Sequence, residues 1–279
     1  MAIVPPLAWF LFFQLYPISH ALYVSFHSWF FLVPERSLVL FGNYAQAFGD
    51  TVFRQSLIRT LAYVFGTSLG LPVALGLALA INSMRSQRLK ILASIIIFLP
   101  AMIPTVAGAV MWYWLMQEFG LINYVLGSLN LGIYPWLSSP NLAMPSIIIC
   151  SVWKNIGFPT VMYIAALGGV PEIFHSAAKI DGAKRWQRFR HITWPLLAPT
   201  TLFVVIFGLI NGFTSFAQIY AMTQGGPGKA STVLVYYIFE SAFKFHDVGY
   251  ASAMSVLLYM IIFALSLVQI RLIRAEYKI

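Results

Sequence analysis

Charge is what this sequence has least of. Only 9% of its 279 residues are Asp, Glu, Lys or Arg, and 60% are hydrophobic, whereas soluble globular chains carry about 25% charged residues. That excludes an ordinary soluble domain. Cysteine is nearly absent as well. Cys150 stands alone, so no disulfide framework or cysteine-based metal site is available, and it reads as a small packed hydrophobe. The histidines, His20, His27, His175, His191 and His246, form no H-E-x-x-H and no paired ligand spacing. No metal or other cofactor is therefore expected in this chain. Low-complexity tracts, a soluble domain and an internal repeat are all missing, and residues 1–279 read as one membrane domain.

Long apolar runs take their place. Mean hydropathy is +0.81, and a bilayer crossing needs about 20 mostly apolar residues. The runs predict an all-α membrane protein with six transmembrane helices, at roughly 4–27, 57–82, 91–115, 142–167, 194–220 and 248–272. Pro17, Pro72, Gly76, Pro104, Gly157 and Pro159 lie inside these spans. They would break soluble helices, but in membranes neighbouring helices re-satisfy the freed backbone groups.

The cations set the orientation. Arg85, Arg88 and Lys90, then Lys179, Lys184, Arg185, Arg188 and Arg190, then Arg271, Arg274 and Lys278 fall on one side. Arg36, Arg54, Arg59, Lys229 and Lys244 fall on the other, and Lys154 lies inside a span. The positive-inside rule then places both termini in the cytoplasm. The net charge of +9 follows from this topology and from anionic lipid. No basic stripe with interleaved aromatics points to nucleic acid. Trp29, Trp112, Trp136 and Trp194 near span edges read as interfacial belts. The first span starts almost at Met1 without the basic n-region that a cleaved signal peptide needs.

Catalysis finds no support. Gly228-Lys229-Ala230 imitates the end of a phosphate-binding loop, but the first glycine of G-x-x-x-x-G-K-[ST] would fall at Thr223 and Ala230 holds the Ser/Thr position. Asp181 and Asp247 fall on opposite sides of the membrane, so no Ser-His-Asp site can converge. Glu118, Glu172, Glu240, Asp50, Asp181 and Asp247 sit at loops or span edges. This argues against the alternative of a self-sufficient secondary transporter or channel, which would couple ions through acids within its spans.

The most polar stretch is 171–193, between two spans. A helix from Ser176 to Ile180, a turn at Asp181-Gly182 and a second helix from Ala183 to His191 are expected. Gly182 allows a positive φ, Ala177, Ala178 and Ala183 permit close approach, and Trp186 and Phe189 offer apolar anchors. From composition alone the stretch fits a partner-docking loop or an interfacial amphipathic helix. Its pattern adds a resemblance: Ala177, Ala178, Asp181, Gly182, Ala183, Phe189, Ile192, Pro195, Leu196 and Pro199 match the cytoplasmic loop of bacterial ABC importer permeases. Ser176 stands where that family usually has Glu. Asn43-Tyr44, Thr223-Gln224-Gly225-Gly226-Pro227 and Gly249-Tyr250-Ala251-Ser252-Ala253 extend the resemblance over about residues 40–270. They favour the first of two permeases in carbohydrate importers of the maltose and glycerol-3-phosphate type. The resemblance implies the type I ABC importer permease fold and an inner-membrane location. It also implies a second permease, a dimer of ATPase subunits, and an extracytoplasmic solute-binding protein. ATP hydrolysis would lie on the separate ATPase, with 171–193 coupling its closure to the membrane.

Polar groups at membrane depth form the other informative set. An ionisable side chain there costs about 2.5–3.5 kcal/mol on insertion scales. Lys154 lies mid-span beside Asn155, one turn from Ser151. Asn211, Ser215 and Gln218 recur at i, i+4 and i+7, one helical stripe, with Thr214 nearby and with Gly208 and Gly212 leaving room. These groups either make interhelical hydrogen bonds of about 0.6 kcal/mol each or accept a solute's hydroxyls. In the second reading Trp153, Phe158, Phe213 and Phe216 are stacking surfaces. The resemblance favours it, since the two helices flanking the loop line the path in sugar importers.

Overall fold

The computed structural model describes residues 3–277 except Pro34, with side chains up to Arg271. Lys278 and the side chain of Arg274 lie outside the described residues. The described chain is mostly helical. Five helices are long and apolar enough to cross a membrane, and a bent pair makes a sixth span if counted as one.

The chain folds as two compact units. One takes in the residues up to Leu61 together with Thr232–Ala264. It begins with α1 (Val4–Ser25), most of whose apolar side chains stay on the surface, with Phe12 74% exposed and Val24 the buried exception. That is the reverse of a soluble helix. A short antiparallel ribbon follows, β1 (His27–Ser28) with β2 (Ser37–Leu38), pairing His27 with Leu38. Next comes α2 (Gly42–Gly49). Asn43 near its start is buried. Its Nδ2 donates to the carbonyls of Ser25 (2.9 Å) and His27 (3.0 Å), tying α2 to the end of α1.

Asp50 then opens α3 (Thr51–Ser68). Its Oδ1 accepts from the Val52 amide at 2.7 Å, and its Oδ2 accepts from the hydroxyls of Tyr237 (2.6 Å) and Tyr250 (2.8 Å). A carboxylate at a helix N-terminus satisfies free amides and complements the dipole. The span therefore starts at Thr51, ahead of the expected 57.

The second unit takes in Ala62–Ser231 and the residues after Ala264. It contains α4 (Gly70–Asn82), α5 (Gln87–Met102), α6 (Thr105–Leu115), α7 (Leu121–Ser128), α8 (Ala143–Asn155) and α9 (Gly157–Gly168). After these come α10 (Glu172–Ile180), α11 (Arg185–Phe213) and α12 (Ala217–Met222). Its core packs Ala78 of α4, Tyr163 and Leu167 of α9, and Leu197 and Val204 of α11.

Several expected boundaries change. The span expected at 91–115 is two helices, α5 and α6, meeting at 94°. Ile103 is extended (ψ 131°) and Pro104 follows at ψ 136°, because a residue before proline is pushed out of the α region. The span expected at 194–220 begins earlier, since α11 already runs from Arg185, through a wider turn at Phe189–Thr193. The missing N–H of Pro195 costs little beside that wider turn. The helix also stops earlier, at Phe213. Thr214 Oγ1 donates back to the Ile210 carbonyl (2.8 Å), a side-chain bond that competes with helical pairing.

The segments left between spans at 116–141 and 221–247 contain helices of their own, α7 in the one and α13 (Leu234–Phe239), which belongs to the first unit, in the other. In the former, Trp136 has a buried partner, its Nε1 donating to Asn123 Oδ1 at 2.9 Å. The last helix, α14 (Val248–Tyr277), is the longest of the described helices.

Candidate functional site

Within the second unit, α3, α4, α8, α9 and α11 wall a cavity of about 600 Å3. Ser151, Lys154, Asn155, Phe158, Gly208, Asn211, Gly212, Ser215 and Gln218 all line it. Of the proposed stacking surfaces Phe158 and Phe216 line it. Trp153 and Phe213 do not. Trp153 packs its ring against Trp112 at 5.6 Å, and Phe213 is buried at 1% exposure.

The stripe Asn211, Ser215, Gln218 is not one helical face. Asn211 lies on α11, Ser215 in the break after Phe213, and Gln218 on α12. The break turns the chain so that Ser215 and Gln218 converge, Ser215 Oγ donating to Gln218 Oε1 at 3.1 Å. Asn211 remains exposed and donates to the Phe207 carbonyl at 2.8 Å, its acceptor oxygen left open. Gly208 has nothing near its missing Cβ, but at Gly212 a Cβ would stand 3.0 Å from Val64. Gly212 thus serves close packing, not room for a solute.

Tyr63 joins the set, a residue the sequence did not single out. Its hydroxyl lies 2.8 Å from Ser151 Oγ, 2.9 Å from Ser215 Oγ and 3.0 Å from Gln218 Oε1. Four polar side chains, from α3, α8, α12 and the break after α11, thereby meet at one wall. The only signal was a tyrosine in an apolar span, since buried tyrosine hydroxyls find partners.

Lys154 is buried at 7% exposure, and its Nζ donates to the Ile103 carbonyl at 2.9 Å. That carbonyl is freed from helical pairing by the break between α5 and α6. Lys154 stands in the last turn of α8, where the dipole favours a cation. Three residues on, a Cβ at Gly157 would stand 2.5 Å from the Ile97 carbonyl oxygen and 2.8 Å from Phe98 Cα. Only glycine lets the kink between α8 and α9 sit so close to α5.

The expected loop of 171–193 also takes shape. Gly182 has φ +77°, its amide bonds to the Lys179 carbonyl at 3.1 Å, and the Ala183 amide bonds to that of Ala178 at 2.8 Å. This is the Schellman pattern with glycine at C′. Ser176, Ala177, Asp181 and Gly182 are exposed, Ala178, Ala183 and Phe189 are half-buried, and Trp186 is 67% exposed. Trp186 and Phe189 stack at 5.4 Å. The helix expected to start at Ser176 starts at Glu172, after Pro171. Among the described residues no group of three His, Cys, Asp or Glu could hold a metal ion.

Kinked membrane helices around a cavity with a polar wall, next to an exposed two-helix loop, define a membrane transport subunit. The chain belongs to the family of binding-protein-dependent transport system inner membrane components, which it matches over residues 70–276. It is a permease subunit and not itself an enzyme. Among its relatives is the sulfoquinovosyl glycerol transport system permease protein SmoG of Agrobacterium fabrum, 33% identical over 94% of this chain and 85% of that protein. Another is the trehalose/maltose transport system permease protein MalF of Thermococcus litoralis, 31% identical over 97% and 92%. A crystal structure of a bacterial ABC transporter involved in import of the acidic polysaccharide alginate contains a chain superposing with TM-score 0.85 at 25% identity, over 98% of this chain and 94% of that one. The fold is thus that of a type I ABC importer permease.

Proposed function

We propose that this chain is one of two permeases in an importer for a carbohydrate or polyol-like solute, and that the cavity walled by Tyr63, Ser151, Ser215 and Gln218 is its half of the path. The observation that carries this is convergence. Polar groups from α3, α8 and α12 and from the break after α11 meet on one cavity face. Helix packing alone requires only pairwise bonds of about 0.6 kcal/mol. Phe158 and Phe216 supply apolar ring faces beside them, a combination suited to sugar rings with their apolar faces and hydroxyl edges. The relatives named for sulfoquinovosyl glycerol and for trehalose/maltose transport support the solute class.

The partners in this reading are a second permease, a dimer of ATPase subunits and an extracytoplasmic solute-binding protein. The loop around Gly182 contacts the ATPase through Ser176, Ala177, Ala178, Asp181, Ala183, Trp186 and Phe189. Alternating access moves the solute inward. Solute uptake measured beside subunit recovery tests the path. Asn211→Ala and Ser215→Ala should lower uptake or change solute preference while the complex assembles normally. Normal uptake in both would leave the wall as helix packing only.

A further inference from the structure

Two clefts outside the solute cavity form a continuous groove of mixed chemistry. The first, of about 560 Å3, is apolar and lies among Leu71, Pro72, Leu75, Tyr163 and Val205 of the spanning helices. The second, of about 1130 Å3, lies at the helix ends and gathers Lys90, Lys179, Arg185 and Arg188, with Glu172 its one acid. Pro72, Leu75, Trp186 and Phe189 line both. None of the four cations is ion-paired among the described residues, and Arg188 Nε is buried without a hydrogen-bond partner. A buried cationic donor left unpaired is costly, so this groove is built for an anion.

We infer that the groove binds an anionic phospholipid, its acyl chain in the apolar trough and its phosphate among Lys90, Arg185 and Arg188. Basic pockets between membrane helices on the cation-rich side take anionic headgroups in this way. The faces of α10 set the occupant apart from the ATPase subunit. Glu172, His175 and Lys179, spaced i, i+3, i+7, line the groove. Ile173, Ser176, Ala177 and Ile180 form the other, exposed stripe, with Ile180 87% exposed. The α10 part of the surface assigned to the ATPase, Ser176 and Ala177, therefore points away from the groove, whereas Trp186 and Phe189 line it. Trp186 at its mouth fits the membrane interface, where tryptophan concentrates.

The test is native mass spectrometry of the importer complex, purified through this chain, in nanodiscs of phosphatidylcholine with or without phosphatidylglycerol. Retained phosphatidylglycerol is expected, and Arg188→Gln and Lys90→Gln should each weaken retention about fivefold, the equivalent of about 1 kcal/mol per surface cation. Lys90 lies outside the coupling loop, so its variant remains informative if Arg188→Gln fails to assemble. No enrichment over phosphatidylcholine, or retention unchanged in both variants, would overturn the inference. Loss of the ATPase subunit with lipid retention intact in Arg188→Gln would assign the groove to that subunit. Ser68 and Leu71 line both the trough and the solute cavity, so displacement of the lipid by transported solute would make the trough part of the path and also overturn it. Inorganic phosphate should not compete, because it cannot fill the trough. Competition by phosphate with no lipid retained would mark a simple anion site instead.

Discussion

Tyr63 and Asp50 show how single hydroxyl and carboxyl groups organise this chain. Tyr63→Phe removes one oxygen shared by three partners and leaves the ring in place, so folding should survive. Solute affinity should fall several-fold, measured by binding to the purified complex. Unchanged affinity would make Tyr63 a packing residue. Lys154→Met leaves the Ile103 carbonyl unsatisfied at membrane depth, at a cost of about 1–3 kcal/mol. Subunit recovery should therefore drop before any loss of transport per assembled complex. Asp50 lies outside the spans and titrates accessibly. Burial raises its pKa, but hydrogen bonds from Tyr237, Tyr250 and the amides of Val52 and Phe53 outweigh burial and hold the carboxyl below its usual value. A depressed folded pKa stabilises fully above the unfolded value of about 3.9 and loses that contribution as pH falls through the folded one. Asp50→Asn should lower the melting temperature in detergent at neutral pH, by the equivalent of about 1–2 kcal/mol. The gap from wild type should narrow on acidification below pH 4, and a constant gap would disprove the linkage.

At the scale of elements, the breaks matter more than the helices. The bend at Ile103-Pro104, the kink at Ile156-Gly157 and the stop at Thr214 each release backbone groups and turn polar side chains toward one cavity. Lys154 joins the first two through its bond to Ile103. Gly157→Ala should reduce assembly sharply, because its methyl would meet the Ile97 carbonyl and the Phe98 backbone, neither of which can rotate away. The turn at Gly182, for which the coupling role is proposed, is the other sensitive break. Gly182 occupies φ +77° in open space, so Gly182→Val is strained by backbone conformation alone. It should leave the chain inserted while abolishing solute-stimulated ATP hydrolysis in the complex. Normal stimulation would remove the loop from its coupling role.

For the whole molecule, orientation is the property that decides every role assigned to a loop. Cysteine placed at Ser139 or Lys229 should react with an impermeant thiol reagent outside intact cells, and cysteine at Lys184 only after the membrane is opened. Cys150 is fully buried, so the background should be low. Labelling of position 184 from outside would reverse the topology and withdraw the docking role with it. With Tyr63 missed and Trp153 and Phe213 wrongly included, the sequence by itself determined the membrane class, the Gly182 turn and part of the cavity lining. Each of these follows from local chemistry: apolar length, charge placement, the steric freedom of glycine and the cost of polar groups in lipid. What only the tertiary structure decided was convergence. Tyr63 reaches Ser151 and Ser215 across 88 and 152 residues of chain, and no periodicity encodes such a meeting. The 94° bend before α6 has a local cause in Pro104, but only packing brings Lys154 to the Ile103 carbonyl that the bend frees. A hydropathy pattern reports length and face, whereas the fate of a freed carbonyl is settled by whatever donor packs against it.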